Sequence, residues 1–252
     1  MHVLIIPSED YLPPSSHMEG IFQHHQAKAL QQAGCKVGVL AVGLAHSVPM
    51  IVKAAVMKAA GRRAGNDLDD MQVRDMVRLL WAKCVQAPSL IAVETRPEAL
   101  VVRTEGFYVV RPRSPIKEWA WMRAGLKAYE RYCRLAGVPD IIHAHNTELA
   151  GLLAERITRT TGVPYVITEH STHYQRGLVP RVLHARLRTA IRHAAGFLVV
   201  SPGLGQQVMK VLGECAGGHL WVPNVVEPAL LDATSQPANL CLKNRPSPQS
   251  RY

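Results

Sequence analysis

From residue 140 onward, short apolar runs alternate with helical patterns at regular intervals, and no other feature limits the fold as tightly. DIIHAH (140–145) precedes a helical stretch at 147–161, and YVITEH (165–170) precedes another at 179–195. GFLVV (196–200), a helix over 202–213 and HLWVP (219–223) complete the series. Strand-like runs joined through helices by short connections are βαβ units, which build a parallel sheet with right-handed crossovers and helices on both faces. The chain opens in the same way. HVLIIP (2–7) reads as a first strand, and a loop with Pro13, Pro14 and Gly20 leads to a helix over 21–33. Phe22, Ala29 and Ala33 lie on its centre line, with Leu30 and Gln26 to one side. Gly34 then turns the chain into a strand at VGVLAV (37–42).

Residues 48–86 interrupt the alternation. VPMIVKAAVMKAAGRRAG and MQVRDMVRLLWAK read as two helices around a polar turn at 65–70. An extended pair is expected near 90–94 and 107–111, where EGFYVV is rich in strand formers. Helix returns at 117–136 and stops at Gly137 and Pro139. The sequence after Asn224, ending in QPANLCLKNRPSPQSRY, is polar and aperiodic and reads as a linker or tail. The expected fold is α/β: a Rossmann-like, doubly wound, mainly parallel sheet over residues 1–226, with a helical insertion near 48–86 and a tail at 227–252.

Composition narrows the class of partner. Hydrophobic residues at 48% with 19% charged are ordinary for a globular chain. The net charge of +10 favours anionic partners: phosphorylated ligands, an anionic membrane surface or nucleic acid. Nucleic acid is the poorest of these, since no recognition motif accompanies the charge and aromatics are only 6%. The five cysteines are scattered without a CxxC pair, which suggests a reducing cytosol and neither a zinc site nor a disulfide framework. The apolar run at the amino terminus lacks a preceding basic segment and reads as a strand rather than a signal peptide. No run approaches the about 20 apolar residues of a spanning helix. The expected location is the cytoplasm, with a peripheral position at the inner face of a membrane as the sharper version.

In a doubly wound sheet, ligands bind beyond the carboxyl ends of the strands. Attention therefore falls on Ser8–Gly20, His145–Asn146, Glu169–Thr172, Ser201 and Pro223–Asn224, where polar residues end apolar runs. Gly20 opens GIFQHHQAKAL, and glycine before a helix lets the backbone approach an anion; it is also an ordinary turn residue. HAHN (143–146) directs both histidines to one face of a strand. That pair lacks the further ligands a metal needs, so no metal is expected; His143 is assigned to packing and His145 to hydrogen bonding with a sugar-like hydroxyl. In TEHSTH (168–173), Glu169 and His170 are placed to orient an acceptor hydroxyl or assist proton transfer, with Asn146, Ser171 and Thr172 as acceptor contacts. The alternative is a solvated cap in which Ser171 and Thr172 serve local backbone groups. Ser201–Pro202 reads as helix capping, and the DxD in NDLDD (66–70) as a helix start rather than a metal motif. On the helix at 179–195, Arg181, His184, Arg188 and Arg192 share one face beside an apolar stripe of Leu183, Leu187, Ala190, Ile191 and Ala194. That basic face is either merely solvated or meets phosphates or an anionic bilayer.

Taken in order, GIFQHHQAKALQQAG, PDIIHAHN, VPYVITEHST, GFLVVSPGLGQQV and VPNVV resemble the N-terminal domain of glycosyltransferase family 4, the large retaining GT-B family. The resemblance covers about residues 1–226. It implies one half of a two-domain enzyme that transfers a sugar from a nucleotide-sugar to a glycan or lipid-linked acceptor, with the nucleotide-sugar as co-substrate and no other cofactor. By this resemblance Gly20 matches the loop glycine near the donor phosphate, and His145 the cleft histidine. Glu169 with His170 match the polar strand end, and Asn224 the interdomain junction. The family's donor-binding residues lie in a second domain that this sequence does not include, so a separate C-terminal domain is an expected partner and the chain alone is expected to be inactive. The reading from a different class is a non-catalytic Rossmann-like module that recognises a glycan or a membrane surface.

Overall fold

The computed structural model describes residues 1–8, 11–12, 20–63, 72–74, 77, 81, 90–108, 115–213 and 218–225. The strands are β1 (His2–Pro7), β2 (Lys36–Ser47), β3 (Leu90–Thr95), β4 (Leu100–Tyr108), β5 (Ile141–His145), β6 (Tyr165–Glu169), β7 (Gly196–Val199) and β8 (Leu220–Trp221). The helices are α1 (Ile21–Gln32), α2 (Val48–Ala59), α3 (Pro115–Ala136), α4 (Leu152–Thr161), α5 (His184–His193) and α6 (Pro202–Leu212). The strands form one sheet in the order β3-β4-β2-β1-β5-β6-β7-β8. Every pairing is parallel except β3 with β4. The order reverses at β1, whose neighbours are β2 on one side and β5 on the other. That reversal is the crevice-forming switch point of doubly wound sheets.

The strand period of two sorts side chains between the faces. Val3 and Ile5 of β1, with Val37, Val39 and Ala41 of β2, pack under α1 with Ala27 and Tyr11. Leu4 and Ile6, Leu40 and Val42, Ile142 and Ala144, and Ile167 face the other way into the larger core built with α3, α4, α5 and α6. On that side Trp121 of α3 is 2% exposed, and its indole N–H donates to the Val42 carbonyl at 3.1 Å. Tyr165 of β6 likewise donates to the Ala190 carbonyl of α5.

Several elements differ from the sequence reading, each for a local reason. The helix expected at 147–161 is regular only from Leu152. Thr147–Gly151 form an irregular turn in which Glu148 is extended and Leu149 has a left-handed φ of 54°. The helix expected from 179 begins as one tight turn, Arg181–Leu183, and becomes α-helical at His184. The second strand of the hairpin starts at Leu100, earlier than 107, because it pairs antiparallel with β3 and parallel with β2 at once. The buried face of α1 is Gln23 and Ala27, and Phe22 is 42% exposed. Ser201 caps α6, its hydroxyl accepting from the Leu204 amide at 3.2 Å. The NDLDD motif, most of the second helix of the insertion, the extended residues 109–111 and the tail at 227–252 lie outside the described residues.

Candidate functional site

Three histidines gather beside the switch point because of strand parity. In the parallel register His143 pairs with Ile5, and His145 pairs with Pro7 and with Thr168. His143 and His145 thus point to the α1 face, and His170, two residues past Thr168, follows them. Two of the rings stack, His143 and His145, 4.7 Å apart between centroids at 24°. His145 and His170 are 5.2 Å apart at 56°. His143 is anchored through Nε2 to the Thr168 hydroxyl at 2.7 Å. His145 is held at both nitrogens, Nε2 to Oε1 of Gln26 at 2.7 Å and Nδ1 to Nε2 of His170 at 3.2 Å.

Burial pushes His143 and His170 down to about 4, with the nearby His170 adding to the effect on His143. His145 lies well below the ordinary histidine value, first through burial and then through the other two rings. All three are therefore neutral imidazoles at neutral pH, each with one N–H and one lone pair.

Helix α1 closes the site from above. It begins at Gly20, whose φ of 73° is left-handed and therefore suits glycine, and whose carbonyl accepts from the His24 amide at 2.9 Å. One helical step further, Phe22 lies 6.3 Å from the His170 ring, and Gln26 reaches His145. Tyr11, ahead of α1 in the chain, donates through its hydroxyl to Glu98 Oε1 at 3.1 Å. Arg103 donates to the Tyr11 carbonyl at 2.6 Å, and His24 meets the same Glu98 oxygen at 3.1 Å.

Glu169 is on the opposite face from His170, as parity demands, and is 0% exposed. Its Oε2 accepts from the Thr147 amide at 2.8 Å and the Thr147 hydroxyl at 2.7 Å, and its Oε1 accepts from the Ser171 amide at 2.9 Å. Burial raises its pKa against the lowering effect of these donors. The carboxylate thus braces the turns after β5 and β6 from beneath. Asn146 works from the side: its Oδ1 accepts from the His170 amide at 3.1 Å while its own backbone has φ 70°, ψ 143°. Ser8 of the β1 end completes the brace. Its hydroxyl lies 2.7 Å from both the His145 and Glu148 carbonyls, sharing one proton between them, and accepts from the Ala150 amide at 3.2 Å.

The residues named from sequence therefore separate into groups. His145, Asn146 and His170 gather at the ends of β5 and β6 under α1, which Gly20 opens. Glu169 instead points to the opposite face with both oxygens engaged by backbone and Thr147, a brace rather than a group that meets a ligand. The Ser171 hydroxyl is engaged locally, accepting from the His173 amide at 3.0 Å, and Thr172 is exposed beside it. Asn224 follows β8 at the far edge of the sheet, away from the histidines. Arg181, Arg188 and Arg192 are exposed along the outer helical layer, and His184 is half-buried with Nε2 3.4 Å from the Val179 carbonyl. The sequence puts Gln26 and Phe22 on α1 but gives neither a role. Their i, i+4 spacing, which puts them on one stripe of the helix above the HAH strand, was the available signal.

The sequence matches the family described as Glycosyl transferase 4-like domain over residues 20–224. The chain belongs to that family. The match spans α1, β5, β6 and their connecting turns, so the histidine cluster and the Gly20 helix start both lie within the family domain. No curated protein sequence shows a significant match. Among solved structures, the catalytic domain of Starch Synthase IV from Arabidopsis thaliana bound to ADP and acarbose is similar with a TM-score of 0.51 at 14% identity, over 89% of this chain and 51% of that one. UGT89C1 of Arabidopsis thaliana complexed with UDP has a TM-score of 0.44 at 11% identity, over 92% of this chain and 55% of that one. The first likeness shows the fold: a Rossmann-like domain of the GT-B kind. The chain spans about half the length of the solved structures it matches.

Proposed function

We propose that this domain forms the acceptor-side wall of a glycosyltransferase cleft, in which a sugar passes from a nucleotide-sugar to a glycan or lipid-linked acceptor. The observation that carries the reading is the neutral His145–His170 pair at the carboxyl ends of β5 and β6, beside the order reversal and under the amino end of α1. A neutral imidazole accepts a hydrogen bond from a sugar hydroxyl without the desolvation penalty of a charge. In this reading His170 orients the acceptor hydroxyl, His145 supports His170, and Glu169 and Asn146 hold the two turns that carry them. The left-handed Gly20 and the amino end of α1 suit a donor phosphate. Ser171 and Thr172 border the acceptor approach, and Asn224 lies at the junction to a second domain that supplies the opposite, donor-binding wall.

The domain boundary in this reading falls near residue 226. The alternative, a module that binds glycan without chemistry, has no observation of its own in its favour, because a neutral histidine pair at a switch point serves reaction at least as well as recognition.

The test is an assay of this chain with ADP-, UDP- and GDP-hexoses and an oligosaccharide acceptor panel, alone and fused to a donor-binding domain of the same family. The chain alone should give no turnover. The fusion should turn over, and His170→Ala should lower its kcat by about 100-fold, the low end of what positioned proton-handling side chains contribute. Turnover by the chain alone, or an active fusion indifferent to His170→Ala, would overturn the reading.

A further inference from the structure

The hydrogen bonds around His145 are directional, and they fix more than position. Oε1 of Gln26 is a pure acceptor, so at 2.7 Å it takes the proton of His145 Nε2. A neutral imidazole has only one proton, so His145 Nδ1 is left with a lone pair. At 3.2 Å that lone pair requires the N–H of His170 Nε2. His170 has then spent its own proton inward, which leaves its Nδ1 with a lone pair, an acceptor. Among the described residues, no hydrogen-bond partner meets that Nδ1. The chain of donors runs from His170 through His145 to Gln26, and its sense is set at the Gln26 end. A donor in place of the Gln26 oxygen would reverse every step and turn the outer nitrogen of His170 into an N–H.

We infer that Gln26 is a positioning residue that selects the tautomers of His145 and His170, so that His170 presents a lone pair, not a proton, to an incoming hydroxyl. The consequence for recognition is chemical. The site takes a ligand that donates, such as the hydroxyl of an acceptor sugar, and disfavours a group that only accepts, such as an ether or carboxylate oxygen. This deepens the proposed function and rests on it for the identity of the ligand. The tautomers themselves do not depend on it.

The contacts around the two rings are built in as well. His143 stacks on His145 and fixes its ring plane, and the Asn146 side chain fixes the backbone of His170. Neither of these contacts touches Nε2 or Nδ1 of the relay, so the orientation of the rings and the placement of their protons are controlled separately.

The experiment is long-range nitrogen–proton NMR of the histidine rings, on the full chain at pH 8 without ligand, for the natural sequence and for Gln26→Glu and Gln26→Lys. In the natural chain, His145 and His170 should both show a protonated Nε2 and an unprotonated Nδ1. Gln26→Glu keeps an acceptor and should keep both tautomers. Gln26→Lys offers only donors and should invert both rings. An amide fingerprint spectrum of each variant checks folding, and a variant that fails to fold leaves the other and the natural chain to decide. A protonated Nδ1 on His145 in the natural chain, or tautomers unchanged by Gln26→Lys, would overturn the inference. Because no donor or acceptor is present, tautomers as expected alongside an inactive fusion would reject the transferase reading while leaving the relay standing. In an active fusion, Gln26→Lys should reduce kcat by about tenfold, with Gln26→Glu close to the natural value.

Discussion

At the scale of single residues, the site spends stability on neutral histidines. His143 and His170 are held at about 4, whereas histidine in an unfolded chain titrates near 6.5. Between those values the unfolded chain binds more protons than the folded one, so stability rises with pH across the window. It is complete above about 6.5 and is progressively lost as pH falls toward 4. The urea midpoint should therefore drop between pH 7 and pH 4.5, and His143→Gln should flatten that dependence; an equal midpoint at both pH values would contradict the burial argument. Glu169, with a raised value, pulls the other way above the ordinary carboxylate range, where the folded chain holds the extra proton. Its larger contribution is as an acceptor. Glu169→Ala strands the Thr147 amide, the Thr147 hydroxyl and the Ser171 amide in a buried place, at about 1–3 kcal/mol for each unpaired group. Urea titration should show a loss of at least about 2 kcal/mol, with Glu169→Gln milder because the amide oxygen keeps some of these bonds.

At the scale of elements, the alternation of apolar runs with helices made β1, β5, β6, β7 and their helices legible, since each strand end is marked by a polar residue or glycine. Gly20, His145 and His170 were legible for the same reason. What escaped was set by contacts between distant segments. The irregular turn Thr147–Gly151 follows from Ser8 and Glu169 gripping it from two other strands, and no helical pattern in TELAG records that. The face of α1 was misread because Phe22 packs toward His170 at the rim, while Gln23 and Ala27 face the sheet. Glu169 and His170 look like one cluster in sequence but part to opposite faces by strand parity. Element packing also explains Gly38 of β2. A methyl there would overlap the hydroxyl of Tyr132 of α3, a fully buried ring bonded to His2 Nε2 at 2.5 Å. Gly38→Ala should thus cost about 1–3 kcal/mol, read as a lower urea midpoint, and Tyr132→Phe in the same chain should recover part of it.

At the scale of the whole molecule, charge is the property that reaches furthest. The chain has a net charge of +10, and Arg181, Arg188 and Arg192 stand exposed on the outer helical layer. Arg186 and His193 of the same helix are instead drawn to acids on neighbouring helices, Arg186 to Glu118 at 2.5 Å and His193 to Glu155 at 3.7 Å. Among the described residues no helix is long and apolar enough to cross a membrane. We propose that the exposed arginines meet an anionic surface electrostatically, with Arg181 and Arg192 spread over about 16 Å of helix. Sedimentation with vesicles of anionic or neutral lipid should show binding to the anionic ones alone, weakened by salt, and weaker still for Arg188→Glu. Equal binding to both would set the basic face down as merely solvated.

The central place of β1 has a further consequence, in the order of folding. Its neighbour β2 arrives within a few dozen residues, but the bond from the His2 amide to the Asp140 carboxylate, and the β1–β5 pairing beside it, span 138 positions. A chain emerging from the ribosome holds β1 with one flank bare until β5 appears. Bare strand flanks recruit other strands, and distant pairings close slowly. The two strands that frame the proposed cleft thus meet late, and the cleft is completed only when β6 pairs with β5 and brings His170 beside His145.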